Sequence, residues 1–158
     1  MKPMIFDSHA HYDSEQFNED REELLLSMEE NGVGTIVNSG ANWDSVTGVV
    51  ELAQKYPFVY AAVGMHPDEV GDLNEERFEY LKSQCQKEKV VAVGEIGLDY
   101  YWRQDNKEAQ KKAFISQLKL AEELSLKDYG GFILSFNGGM IINCQTGEVV
   151  FSQLLPVE

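Results

Sequence analysis

The chain has 158 residues, and 27 acidic residues against 13 basic ones give it a formal net charge of −14 at pH 7. This length favours a single domain, and a hydrophobic fraction of 43% is ordinary for a globular protein and argues against disorder. The acidic balance counts against tight electrostatic binding of nucleic acid by Lys and Arg, but it is compatible with a protein that meets phosphate through bound metal cations.

Strand patterns and helix patterns alternate along the first 124 residues. The predicted strands are residues 4–6, 35–38, 58–63 and 89–93, and the predicted helices are residues 14–31, 43–56, about 75–87 and about 106–124. Each strand with its helix takes roughly 25–30 residues, as parallel βαβ construction requires. The strands are rich in Val and Ile without clean alternation, which is typical of a parallel sheet buried on both faces.

The pattern changes after Leu124. Residues 127–131 break the helix, residues 132–134 are predicted to form a short strand, and residues 140–143 and 149–151 are predicted to form a β-hairpin. A hairpin is antiparallel, unlike the preceding units. We therefore divide the chain into an α/β region, residues 1–124, with about four parallel βα units, and a divergent tail, residues 125–158, with a C-terminal β-hairpin.

The remaining composition points to a cytoplasmic protein with no membrane partner. Two cysteines cannot build a disulfide scaffold, and their separation does not match a metal-binding spacing. No apolar run approaches the ~20 residues of a membrane helix. The N-terminus lacks the apolar core of a signal peptide and already carries an acid at Asp7.

The strongest chemical signal is the pair His9 and His11, directly after the first predicted strand. Residues i and i+2 on a strand point to the same face, so two imidazoles can reach one divalent cation. Glu95 follows the apolar run 90–93, where a carboxylate is costly unless it is paired or binds a cation. Because α/β sheets place their sites at strand C-terminal ends, the three residues together favour a metal site. The alternative is solvated loop residues without a function.

His66 lies at the end of the third predicted strand. It could bind a substrate phosphate or donate a proton, and a hydrogen-bonded structural histidine is the alternative. Asp99 and Arg103 follow the Glu95 loop and join His66 as predicted substrate-binding residues, since Arg103 could pair with phosphate. An aromatic ring in this loop could stack on a base, although ordinary packing at the rim is the preferred interpretation for Trp102.

Three motifs together resemble the TatD-type metal-dependent deoxyribonucleases in order and spacing. They are Asp7-Ser8-His9-Ala10-His11, Gly64-Met65-His66-Pro67 and Gly94-Glu95-Ile96-Gly97-Leu98-Asp99-Tyr100. The resemblance covers residues 1–124 and implies a TIM-type (β/α) barrel, here partial, with a divalent metal site at its C-terminal face. It implies a hydrolase that cleaves phosphodiester bonds in DNA and uses one or two ions of Mg, Mn or Zn.

Carried over motif by motif, the resemblance assigns roles to individual residues. His9 and His11 bind one metal ion, Glu95 binds a metal and bridges two, and His66 touches the substrate phosphate. Glu95 and His66 are thus the predicted catalytic residues. The metal lowers the pKa of a bound water toward ~7 and supplies hydroxide for attack on phosphorus.

The family pattern continues after residue 124 with further metal-binding His residues and an Asp, whereas this sequence has no His after His66. A complete barrel also needs about 200 residues or more. We therefore expect reduced metal affinity and little turnover. The alternative is a non-catalytic α/β fragment or binding module, since the open strand edges of a half barrel invite a second copy or a complementing chain. An amidohydrolase acting on C–N bonds would explain only the two histidines of the first motif.

Overall fold

The structure, a computed structural model, describes residues 5–124 and the backbone of three later strands, leaving residues 1–4, 125–131, 136–139, 144–148 and 153–158 outside the description. Its strands are β1 (Ile5–Ala10), β2 (Val33–Ser39), β3 (Val59–Ala62), β4 (Val90–Ile96), β5 (Phe132–Ser135), β6 (Met140–Asn143) and β7 (Val149–Ser152). Its helices are α1 (Arg21–Ser27), α2 (Trp43–Lys55), α3 (Glu75–Cys85) and α4 (Lys107–Leu124), and residues Glu15–Phe17 and Val70–Asp72 form short 3-10 turns.

The strands form one sheet in which the spatial order follows the chain order from β1 to β7. Neighbouring strands are parallel from β1 to β5, while β5, β6 and β7 pair antiparallel. Parallel strands in chain order, the first four each followed by a helix, form a curled segment of a (β/α) barrel. The predicted partial TIM-type barrel with a C-terminal hairpin is therefore confirmed.

The sheet continues further than its sequence pattern showed. The short strand predicted at residues 132–134 is β5, and it pairs in parallel with β4 before the sheet turns antiparallel. Periodicity identifies a short apolar run but not its pairing partner, because a run of four residues carries no register information.

The first helical segment differs from its prediction. In place of one helix over residues 14–31, a 3-10 turn precedes the short helix α1. The cause is Arg21, whose guanidinium donates hydrogen bonds to the main-chain carbonyls of Tyr12, Asp13 and Ser14. These bonds fold the segment back on itself, and helical periodicity does not encode such a contact.

Apolar side chains are buried on both faces of the sheet, as predicted for parallel strands. The larger cluster joins the helices to one face and includes Leu25, Val49, Leu81, Leu120, Ile36, Val59 and Val93. A smaller cluster on the strands joins Val37, Ala62 and Ala92. This packing fixes the strands, so side chains at their C-terminal ends are held in defined positions.

None of the helices in the described part of the chain is both long enough and apolar enough to cross a membrane.

Candidate metal centre

The structure brings His9, His11 and Glu95 together at the C-terminal ends of β1 and β4. His9 lies within β1, His11 directly follows it, and Glu95 is the last residue but one of β4. The Nε2 atoms of the two imidazoles are 3.1 Å apart, and they lie 3.3 Å (His9) and 3.6 Å (His11) from Glu95 Oε2. One ligand atom from each residue lies within 4.8 Å of the others, a spacing that one cation can bridge.

The end of β2 holds two of these residues through its main chain. The carbonyl of Ser39 is 2.8 Å from His11 Nδ1, and the carbonyl of Gly40 accepts the Glu95 N–H at 2.8 Å. Because a carbonyl only accepts, Nδ1 of His11 carries the proton in the neutral imidazole. Its Nε2 therefore presents a lone pair toward Glu95, which is the usual arrangement of a metal-binding histidine.

The carboxylate is buried while the imidazoles are partly open to solvent. The Glu95 side chain is 4% exposed, against 28% for His9 and 41% for His11. Burial raises the pKa of Glu95, but the hydrogen bond with His9 and the charges of the three histidines together hold that pKa below its ordinary value. The same hydrogen bond raises the pKa of His9 against the effect of burial. Glu95 is therefore ionised. Its carboxylate can pair with a positive charge beside it, which is either the protonated His9 imidazole or a bound metal ion.

The donor set suits a divalent transition metal. Two imidazole nitrogens and one carboxylate oxygen are the ligands that Zn²⁺ and its first-row neighbours take, and three protein ligands leave a position open for water or substrate. The partial exposure of the two imidazoles gives that position access to solvent.

His66 follows β3 and belongs to the same end of the sheet. Its main-chain N–H donates to the carbonyl of Ala41 at 3.0 Å, and its Nδ1 accepts the Asp68 N–H at 3.2 Å. With Nδ1 accepting, neutral His66 carries its proton on Nε2 and can donate it to a ligand. In its protonated form His66 helps to lower the pKa of Glu95, which places the imidazole within electrostatic reach of the three-residue cluster.

Asp99 is buried rather than open to solvent, with 1% of the residue exposed. One carboxylate oxygen, Oδ1, accepts the N–H groups of Tyr101 at 2.8 Å and Trp102 at 3.0 Å. Asp99 therefore shapes the loop after β4. Trp102 itself is 71% exposed, which differs from the rim packing preferred from the sequence. The turn built on Asp99 directs residues 101 and 102 outward.

Arg103 connects this loop to the loop of His66. Its guanidinium lies 3.2 Å from Asp105 Oδ1 and donates to the carbonyl of Asp68 at 3.4 Å. The side chain is 44% exposed, so part of its charge remains available to an anion.

Two buried glutamines of α4 were missed by the sequence analysis. Gln117 accepts the N–H of Met65 at 2.7 Å and donates to its carbonyl at 3.2 Å, directly before His66. Gln110 makes the same pair of bonds to Asp99, at 2.8 and 2.9 Å. Both lie on the buried stripe of α4, where an amide among apolar residues was the available signal.

Comparison with known proteins identifies relatives that match the same part of the chain. The family model described as "TatD related DNase" matches residues 6–127. The "Uncharacterized metal-dependent hydrolase YabD" of Bacillus subtilis is 41% identical over 123 residues, which are 78% of this chain and 48% of that protein. The "3'-5' ssDNA/RNA exonuclease TatD" of Pectobacterium parmentieri is 33% identical over 123 residues, 77% of this chain and 47% of that protein.

A solved structure shows the same relationship in three dimensions. The crystal structure of the TatD homolog YjjV from Escherichia coli superimposes with a TM-score of 0.73 at 33% identity, covering 85% of this chain and 52% of the other. The chain spans about half the length of the curated relatives it matches.

Proposed function

The chain belongs to the TatD family of metal-dependent hydrolases, and we propose that it hydrolyses phosphodiester bonds of DNA with a divalent metal ion held by His9, His11 and Glu95. The observation that carries this proposal is the convergence of the three ligand atoms within 4.8 Å of one another. The reaction class, metal-dependent hydrolysis of phosphodiester bonds, is supported by the names of two relatives. One is named a metal-dependent hydrolase, and the other is named an exonuclease acting on single-stranded DNA and RNA.

The residues of the site divide the work between binding and proton transfer. A divalent metal, when bound, lowers the pKa of its water toward ~7 and offsets charge on the phosphate. The buried carboxylate of Glu95 would pair with the positive charge of the metal ion, and the Ser39 carbonyl keeps His11 in the tautomer that binds metal. His66 offers its Nε2 proton to a phosphate oxygen or to the leaving oxygen. Arg103 pairs with the phosphate, and Asp99 serves substrate binding through the loop that it holds.

Three ligands suit one cation of Mg, Mn or Zn, and the two imidazoles favour Zn over Mg or Mn. A second cation bridged by Glu95 would need donors in addition to these three. We therefore expect this site to bind metal more weakly, and to turn over more slowly, than a fully ligated two-metal site.

A non-catalytic binding module is the second candidate. Ile5 and Phe6, on the edge strand β1, are 60% and 57% exposed, an apolar edge that suits a second copy or a complementing chain. Gel filtration at two concentrations tests it, and elution as a monomer at both would contradict self-association.

A cytoplasmic location stays a prediction from the sequence.

The ligand assignment is tested by metal content. Wild type, His9→Ala and Glu95→Gln are loaded with Zn²⁺ or Mn²⁺, dialysed and analysed, and Glu51→Gln, an exposed acid on α2, is the matched control. We expect the two site variants to lose at least about tenfold in affinity, because loss of even an outer-shell partner of a ligand typically costs about 10–100-fold. Equal metal content in all four proteins would show the assignment to be wrong.

The reaction is tested separately with end-labelled single-stranded DNA. We expect cleavage that requires added metal, stops with chelator and disappears in Glu95→Gln. A protein that binds metal at this site but shows no chelator-sensitive cleavage would favour the non-catalytic candidate.

A further inference from the structure

The loop after β4 exposes two aromatic rings side by side. Tyr101 is 75% exposed and Trp102 is 71% exposed, and their rings meet edge to face with centroids 4.7 Å apart. We call residues 101–102 the aromatic pair. Large aromatic side chains gain most from burial, so two of them in solvent next to a polar site mark a binding surface.

The aromatic pair is held from beneath by buried polar groups. Gln110, fully buried, binds both main-chain groups of Asp99 and the carbonyl of Arg103 at 3.0 Å. Asp99 in turn accepts the N–H groups of the aromatic pair. Its other oxygen, Oδ2, is buried with no hydrogen-bond partner in the described part of the chain. Burying an amide and a carboxylate under a surface loop is costly, and its effect is to fix the backbone of residues 101–102 before any ligand arrives.

The loop that carries the aromatic pair is linked to the loop of His66, which lies at the same end of the sheet as the metal centre. The residue that follows the aromatic pair, Arg103, donates to the carbonyl of Asp68, and Asp68 donates its N–H to His66. A strand whose phosphate met His66 and Arg103 would lie against the loop that carries residues 101–102.

We infer that the aromatic pair is a stacking platform for an unpaired base of a single-stranded nucleic acid whose phosphate lies at the metal centre. The inference rests on the proposed function and adds to it the two side chains that receive the base. With a net charge of −14, the chain gains little from counterion release, whereas stacking on aromatic rings needs no basic surface and tolerates any base. A duplex hides the faces of its bases, so the platform selects unpaired ends.

Stacking is tested without catalysis, in the presence of chelator. The chain has two tryptophans, so Trp43→Phe leaves Trp102 as the fluorescent reporter. We expect a short oligothymidylate to quench Trp102, and a duplex or an abasic oligomer of the same length to quench it far less. Equal quenching by the abasic oligomer, or none by oligothymidylate, would overturn the inference, and in the second case the exposed rings would suit a protein partner instead.

Affinity for labelled oligothymidylate separates stacking from a structural role. We expect Trp102→Ala and Tyr101→Ala each to weaken it by about five- to 150-fold, the range for loss of one base–aromatic stack. Trp102→Phe should restore most of it, and Ile115→Ala, which removes an exposed apolar side chain from α4, should change nothing. Unchanged affinity in both alanine variants would overturn the inference.

The two proposals fail in different ways. Base-dependent quenching in a protein that never cleaves DNA would refute the proposed reaction and leave the platform. Metal-dependent cleavage that is equal in wild type and Trp102→Ala, on normal and on abasic substrates, would refute the platform and leave the reaction.

Discussion

Replacing Gln117 with Met should destabilise the protein and disturb His66 without removing any ligand. Gln117 is buried, with 1% of the residue exposed, and its amide satisfies both main-chain groups of Met65. Methionine fills a similar volume but makes neither hydrogen bond. The substitution therefore leaves a buried N–H and a buried carbonyl unpaired in the segment that leads into His66.

The expected cost follows from those two groups. Each unsatisfied buried polar group costs about 1–3 kcal/mol, so the free energy of unfolding should fall by about 2–6 kcal/mol. Small proteins have about 5–15 kcal/mol in all, which makes this a large fraction. At about 2–4 °C per kcal/mol for a chain of this size, Tm should fall by roughly 4–24 °C.

Urea unfolding measures this loss, and the midpoint should fall with an unchanged m-value. The matched control is Gln54→Met, an exposed position on α2, which should stay within about 0.5 kcal/mol of wild type. Metal affinity should be preserved in Gln117→Met while the cleavage rate falls, because His66 moves and the three ligands do not. Equal stability and equal rates in the two variants would refute the argument that Gln117 positions His66.

Three further predictions concern other parts of the fold. A Cβ on Gly64 would lie 2.6 Å from the carbonyl carbon of Gly94, so Gly64→Ala forces the two strands apart. The substitution should lower the free energy of unfolding by about 1–3 kcal/mol. An unchanged Tm would contradict the close approach of the two glycines. Burial raises the pKa of Cys85 from 9.0 to about 12, which lowers the thiolate fraction at mildly alkaline pH by roughly a thousandfold. Alkylation of that thiol should be slower by about the same factor in the native protein than in urea, as followed by mass spectrometry of its peptide. The raised pKa of His9 means that a metal ion must displace a proton from it, so metal affinity should rise with pH until that pKa is passed. Below it the affinity should fall by up to tenfold per pH unit, while Glu95, whose pKa is lowered, stays ionised; calorimetry showing no pH dependence between about 5.5 and 7.5 would contradict this.

The sequence predicted the helices and strands well where packing agrees with periodicity. α2 and α4 carry regular buried stripes, and the apolar runs of β3 and β4 are too short and too continuous to form anything but buried strands. The prediction failed between residues 14 and 31, where Arg21 gathers three carbonyls of the preceding loop. Hydrogen bonds from one side chain to several main-chain carbonyls outweigh the local helix propensity. The residues around Arg21 carry no sequence pattern that predicts these bonds.

The candidate site was predictable in its members but not in its geometry. His9, His11 and Glu95 stand out because polar residues with ligand chemistry follow short apolar runs, and parallel strands end at one edge. The strands β1 and β4 extend beyond those runs and include His9 and Glu95. Their distances depend on how the sheet curls, which the sequence does not show. Asp99 was recognised as a polar residue near the site, but its burial beneath the aromatic pair depends on Gln110, eleven residues later on another element.

The geometry of the site depends most on β2, a strand that contributes no ligand atom. The carbonyl of Ser39, the last residue of β2, and the carbonyl of Gly40, which follows it, hold His11 and Glu95, two residues that come from β1 and β4. Every residue offers a carbonyl, so these contacts leave no trace in residue identity. Asn38 is the exception, because its buried amide accepts the N–H of Tyr12 and donates to Asp13, fixing the chain that leaves His11. The site therefore depends on the identity of Asn38, because its amide sets the direction of the loop that follows His11. The metal ligands depend on Asn38 only through that loop.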